Sequence, residues 1–361
     1  METHSRLTFC LYAWGANSYG QLGQSHVEDQ CVPWLSESSA LHDRTVRVVD
    51  GGGGHSVVLT DSGQLLACGS NAFGQLGVGQ TVTHSAELLA VEALKEPVVS
   101  VAAGLRHSLA VSASGSVYQW GTGLFSHAKR ALSSHPAPSH LNSKLPCPVP
   151  GLGQRKAQLV TAGSAHCVCL TEEGELFLWG SNKHGQLATA EPFLPSPSLL
   201  NRSLLKGEKV TGVCSGWTHV VAQTASGRVF TWGRGDYGQL GRSASVSENA
   251  ETSMGNRKDC IPVEVTSLHA ATQIVCGSEH NLAIVGGCLL SWGWNEHGMC
   301  GDGSQADVFL PRLVSDLRPV LIGCGAGHSM AVCGVTTSLT QNSVHTWEEL
   351  EHKQSSPFTE F

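Results

Sequence analysis

Val98-Val99-Ser100-Val101-Ala102-Ala103-Gly104-Leu105-Arg106-His107-Ser108-Leu109-Ala110-Val111 runs through a Ser114-Gly115 turn into Ser116-Val117-Tyr118-Gln119-Trp120-Gly121. Apolar residues alternate with period two beside the turn, the pattern of short strands joined by a hairpin. The stretch is one copy of a repeat. Gly-x-x-His recurs at Gly52 to His55, Gly104 to His107, Gly163 to His166, Gly216 to His219, Gly277 to His280 and Gly325 to His328. Successive glycines lie 52, 59, 53, 61 and 48 residues apart, a period just over fifty.

A second phrase is locked in phase with the first. Trp-Gly follows the histidine by 13 residues at Trp120, Trp179 and Trp232 and by 12 at Trp292, and Cys68-Gly69 holds the place 13 residues after His55. It opens a longer wording, Trp14-Gly15-Ala16-Asn17-Ser18-Tyr19-Gly20-Gln21-Leu22-Gly23, echoed by Gly69-Ser70-Asn71-Ala72-Phe73-Gly74-Gln75-Leu76-Gly77. Asp61-Ser62-Gly63, Glu172-Glu173-Gly174 and Ala225-Ser226-Gly227 repeat the hairpin turn. Strands on short turns at this period read as propeller blades of four strands each. Trp14-Gly15 has no Gly-x-x-His ahead of it, and the position 13 residues after His328 is Gln341, so each end lacks what the other carries. The expectation is an all-β propeller of six repeats, in which the N- and C-terminal segments share one blade and close the ring without free edges. Residues 1–10 would be a short extension, 11–334 the propeller and 335–361 a disordered Ser/Thr/Glu-rich tail.

Composition agrees with a single repeating unit better than with the two ordinary domains that 361 residues suggest. Glycine, 42 residues, is in excess without a Gly-X-Y period, which excludes collagen and implies frequent tight turns. With 22 basic against 29 acidic residues the net charge is −7, and no basic arm is present, so direct nucleic-acid binding is not expected. No run of about 18 apolar residues and no signal peptide is found, so a protein of the cytoplasm, and also of the nucleus, without membrane insertion is expected. The 13 cysteines are odd in number and form no C-x-x-C element, which favours free thiols in a reducing compartment over disulfides or structural zinc.

These phrases resemble the family of the regulator of chromosome condensation over about Leu11 to Cys333. The wording around Gly216-Trp217-Thr218-His219 and Trp292-Gly293-Trp294-Asn295-Glu296-His297-Gly298-Met299-Cys300-Gly301 is nearest a branch of guanine nucleotide exchange factors tied to secretion. The resemblance implies a propeller that binds a small Ras-superfamily GTPase and other proteins, as a monomer without a cofactor. A non-catalytic scaffold in trafficking is the alternative. Family rings usually have seven blades and six repeats are counted here, so either the ring closes with six or the chain lacks one. The third Trp-Gly copy loses Gly-Gln-Leu-Gly and runs into a Pro/Ser/His-rich insertion at 133–150, and a polar insertion occupies 242–260. Photoreception, known on this fold from clustered Gly-Trp-Arg-His-Thr phrases, is not expected with Trp217 alone in that slot.

The six repeat histidines, His55, His107, His166, His219, His280 and His328, are read as structural, because a residue present in every blade answers a need that every blade has. Gly233-x-Gly235-x-x-Gly238 and Gly51 to Gly54 are turns, not nucleotide loops, since neither opens a helix and the second lacks Lys-Ser/Thr. No nucleophile or paired-carboxylate set can be assembled, so catalytic residues stay unassigned. Function is carried by the positions that vary between copies. Antiparallel alternation puts the Gly-x-x-His loops and the Trp-Gly loops on one face of the disc. There Arg106, Lys183, Trp217, Asp236, Glu279 and Glu296 are the candidates for protein contact, with His184, Arg234 and His297 beside them.

Overall fold

The structure is a computed structural model that describes residues 11–333 apart from 37, 43, 133–135, 243–259 and 315–316. The N-terminal extension, the tail and nearly all of the 242–260 insertion lie outside the described residues.

Five four-stranded antiparallel sheets and two two-stranded ones hold all the described strands. Blade three shows the plan, with Ala157–Ala162, His166–Thr171, Leu176–Ser181 and Phe193–Leu199 side by side in chain order. Blades one, two, four and five begin with Val46–Gly51, Val98–Ala103, Val210–Ser215 and Gln273–Cys276. The remaining two sheets come from the two chain ends and are paired only within themselves, Pro319–Cys324 with Ser329–Cys333 and Tyr12–Gly15 with Gln30–Leu35; by repeat position they are the inner and outer pairs of the sixth unit.

Hairpin register explains the fixed offset between the two phrases. His55 pairs with Gly69, His166 with Gly180, His219 with Gly233 and His280 with Gly293, so each histidine faces the glycine of Trp-Gly across the second and third strands. The offset is one shorter in blade five because Val285 pairs with Cys288 around a two-residue turn, Gly286-Gly287, both at positive φ. The glycine of Trp-Gly is dictated by its conformation. At Gly180 φ is +102°, and a Cβ there would lie 2.6 Å from the Ala165 carbonyl oxygen.

The Trp-Gly strand and the Gly-Gln-Leu-Gly phrase together tie each blade to its neighbour. The indole N–H groups of Trp120, Trp232 and Trp292, all fully buried, donate to the backbone carbonyls of Gln75, Gln186 and Gln239 in the preceding blade, at 2.8, 2.9 and 3.0 Å. Blade two has no Gly-Gln-Leu-Gly, and Trp179 instead reaches the side-chain Oε1 of Gln119 at 2.7 Å. The space left by the missing phrase holds a short helix, Phe125–Ala131, seated on buried Leu124 and Ala128. Periodicity gave no sign of this helix. The N-terminal phrase ties to blade one in the same manner, its Gln21 carbonyl accepting from Ser56 Oγ at 2.7 Å and from Cys68 Sγ at 3.4 Å, with cysteine standing where other copies have tryptophan.

The inner strands surround a central cavity of about 490 Å³, which all six units line. The ten cysteines from Cys68 to Cys324 are free thiols, and among the described residues no helix is long and apolar enough to cross a membrane.

Candidate protein-binding face

Each Gly-x-x-His loop is shaped by its own histidine. The ring lies against the glycine, so a Cβ at Gly216 would come within 2.1 Å of His219 Cε1, and the Gly216 N–H donates to the His219 carbonyl at 3.1 Å. The ring's other nitrogen reaches the next blade. Nε2 of His55 meets Ser108 Oγ at 2.8 Å, that of His107 meets Cys167 Sγ at 3.3 Å, that of His219 meets Asn281 Oδ1 at 2.7 Å and that of His280 meets Ser329 Oγ at 3.0 Å. The partner in these four is the residue after the next histidine. In blade four that residue is Val220, and His166 Nε2 is left buried without a hydrogen bond. Burial drives four of the rings toward the neutral form, lowering the pKa to about 4 for His55 and His280 and to about 3 for His107 and His166. His328 differs from the other five in being exposed.

The variable residues fall into three groups around the loop face. Around His184 of blade three stand Lys183 of the same loop, Arg234 and Asp236 of blade four and Glu279 of blade five. Burial lowers the His184 pKa, and the charges of Arg234 and Lys183 lower it further, while Glu279 and Asp236 oppose them. Arg234 Nε donates to Asp236 Oδ2 at 2.8 Å, and its guanidinium lies 4.6 Å from the centre of the Tyr237 ring. Asp236 keeps 70% of its side chain exposed. The second group is Arg106 of blade two, exposed and stacked 4.5 Å over Phe73 of blade one. Glu296 and His297, both exposed, form the third beside Trp294, whose ring meets that of His297 edge-on at 5.6 Å. Tyr237, Phe73 and Trp294 were not singled out in the sequence, although each sits in a Trp-Gly loop at a variable position.

Trp217 and Glu279 take opposite places. Trp217 is 40% exposed at the edge of the central cavity. Its backbone spans three blades, with the N–H donating to the Ser278 carbonyl at 2.7 Å and the carbonyl accepting from Ser164 N–H at 2.9 Å and Oγ at 2.7 Å. Glu279 is buried. Its carboxylate accepts from Thr218 Oγ1 at 2.7 and 2.8 Å and from Gln239 Nε2 at 2.7 Å, and His219 Nδ1 lies 3.7 Å away. Burial pushes the Glu279 carboxyl up, but His219, Thr218 and Gln239 outweigh it and hold the group below its ordinary value, as a carboxylate. Thr218 and Ser278 are buried with it. Among the described residues no group of three or more His, Cys, Asp or Glu side chains is placed to hold a metal ion.

Residues 8–331 match the RCC1-like domain. The secretion-regulating guanine nucleotide exchange factor of Bos taurus is 44% identical over 389 aligned positions, covering 90% of this chain and 83% of the relative. Since 90% of 361 residues is about 325, about 64 of those positions face a gap in this chain, slightly more than one repeat. Among solved structures, human WBSCR16 has a TM-score of 0.73 at 27% identity, with 90% of this chain and 81% of that one covered. Yeast Prp20p, from Saccharomyces cerevisiae, has a TM-score of 0.57 at 19% identity over 90% and 92% of the two chains, a likeness of fold.

Proposed function

The chain belongs to the RCC1-like family, and from that premise we propose that it is a protein-binding propeller acting as a guanine nucleotide exchange factor or regulator of a small Ras-superfamily GTPase, in a process linked to secretion. The observation that carries the reading is the exposed indole of Trp217 at the cavity edge, in a loop whose Thr218 carbonyl accepts the Arg234 N–H at 3.0 Å, which links it to the charged group of Lys183, Arg234 and Asp236 around His184. An exposed tryptophan with arginine on a neighbouring loop is the composition of a binding hot spot. The bovine relative at 44% identity, named an exchange factor for secretion, supports the choice of partner class.

Exchange needs no covalent chemistry. A partner surface that favours the nucleotide-free GTPase must weaken nucleotide binding by the same factor that nucleotide weakens partner binding, because the two equilibria are linked. Asp236, bridged to Arg234 but with 70% of its side chain exposed, is accessible to the magnesium and phosphate region of such a partner, whereas Glu279 is committed to Thr218, Gln239 and His219. A monomer of the cytoplasm and nucleus, without direct nucleic-acid contact, fits this reading.

The test is release of labelled GDP from a panel of purified small GTPases. Acceleration for one of them, and a loss of binding of about tenfold or more in Trp217→Ala/Asp236→Ala, are the expected outcomes. Binding without acceleration leaves the second reading, a trafficking scaffold. Unchanged affinity in the double variant would move the site to another part of the ring.

A further inference from the structure

Side chains on the inner strands tie neighbouring blades across the wall of the cavity. Five residues before its repeat histidine, Asp50 of blade one accepts the Ala103 N–H of blade two on Oδ2 at 2.9 Å, and Thr161 of blade three accepts the Ser215 N–H of blade four on Oγ1 at 3.1 Å. The receiving residue stands four before the next histidine in both cases. Between blades four and five these two positions are Cys214 and Cys276, and their sulfurs lie 3.0 Å apart. That is about 1 Å beyond the ~2.05 Å of an S–S bond. Both residues are half-buried and line the central cavity. Cys68, Cys167 and Cys169, by contrast, are buried in strands without another sulfur in hydrogen-bond reach.

We propose that Cys214 and Cys276 form a dithiol site that closes to a disulfide when peroxide enters the cavity, fixing blade four to blade five. Hydrogen peroxide oxidises the Cys214 sulfur to a sulfenic acid with release of water. The Cys276 sulfur then attacks that sulfur and a second water leaves, so the two thiols supply the two electrons that cleave the O–O bond. Burial, and then the neighbouring Cys214 and Cys324, push the Cys276 thiol well up, which disfavours it for first attack on peroxide, and its part in the second, intramolecular step rests on the 3.0 Å between the sulfurs. The bond would lie directly beneath the candidate face. Trp217 is three residues beyond Cys214 and Glu279 three beyond Cys276, so oxidation fixes the spacing of the two loops that carry them.

The experiment treats the purified full chain with hydrogen peroxide, blocks remaining thiols with iodoacetamide and maps peptides without reductant. The expected result is one linked Cys214–Cys276 peptide pair, released by dithiothreitol, together with a melting temperature several degrees higher than that of the reduced protein. Cys214→Ser and Cys276→Ser should lose both effects, while Cys324→Ser, which keeps the pair, should retain them. Blocked thiols at both positions after peroxide, oxidation that stops at sulfinic acid, or linkage of Cys276 to Cys324 would each overturn the proposal. So would a Cys324→Ser protein that melts like the reduced wild type yet no longer cross-links.

Discussion

His219 and His328 stand at the same position of the same phrase, and their surroundings differ. His219 is buried at the junction of blades four and five, its Nε2 held 2.7 Å from Asn281 Oδ1. His328, at the junction of blades six and one, is exposed. The residue that would answer it by position, Ser56, gives its hydroxyl to the Gln21 carbonyl of the N-terminal segment instead. Beside His328, Met330 of the second strand is 42% exposed, whereas the matching strand of blade three, His166–Thr171, is buried along its length; in the first strand Val320 and Leu321 are 72% and 55% exposed, where blade three has exposed Gln158 and half-buried Leu159. Order in this ring therefore resides in the junctions. A blade's inner pair is held by the blade that follows it, and where blade one is grasped by the N-terminal outer pair, the C-terminal inner pair is the less covered element.

Acid should break the tight junctions first and with the largest effect. His55, His107, His166 and His280 have folded-state values of about 4, 3, 3 and 4 against an ordinary 6.5. Below about pH 6.5 the unfolded chain therefore binds protons that the folded chain refuses, and stability falls as the pH drops toward 4. Asp50 works the other way. Burial raises it to about 6, so its folded form gains stability as pH falls through that value, but it is one group against four. The expected outcome is a melting temperature that falls steeply from pH 6.5 to pH 4. A flat profile over that window would mean that the four rings are not held neutral between blades.

Glycine substitution separates the two junctions directly. A Cβ at Gly216 would sit 2.1 Å from the His219 ring, and one at Gly325 would sit 1.9 Å from the His328 ring. By contact distance alone the second should be worse. The His219 ring cannot leave, because burial and Asn281 fix it, so Gly216→Ala should cost about 3 kcal/mol or more. The His328 ring can turn into solvent, so Gly325→Ala should cost less than about 1 kcal/mol. Urea denaturation of the two variants measures the difference, and equal costs would show that the last junction is as tight as the others.

Most of the architecture was legible because two short phrases repeat in phase. Their offset is a hairpin register, their glycines answer local contacts, and a register needs no long-range information. The count of six units, the shared sixth blade and the loop face all come from that periodicity. What the sequence hid was interblade contact. Glu279 reads as a surface acid by its place in a variable slot, yet Gln239, forty residues earlier, and Thr218, in another blade, bury it. The helix Phe125–Ala131 was invisible for the opposite reason, since it fills a space that exists only because one copy lost its phrase. His328 matches its five sisters in wording, and only the neighbour across the junction distinguishes it.

The smallest effect tests whether the interblade hydrogen bond matters apart from packing. Val220 occupies the position from which Ser108, Cys167, Asn281 and Ser329 meet the preceding histidine, and it leaves His166 Nε2 without a partner. Threonine is close to valine in shape and adds a hydroxyl, which ordinarily costs about 1–3 kcal/mol in a core when it goes unpaired. At Val220 the hydroxyl meets a waiting nitrogen, so the gain of about 1 kcal/mol from a new hydrogen bond offsets most of that cost. Val221, next in the strand and equally buried, provides the control because it belongs to the opposite face of the sheet, packed with Trp292 toward blade five. Val220→Thr should therefore be more stable than Val221→Thr by about 1 kcal/mol in denaturant unfolding. If the two variants are equally destabilised, the histidine contacts seen at the other junctions accompany good packing without adding to it.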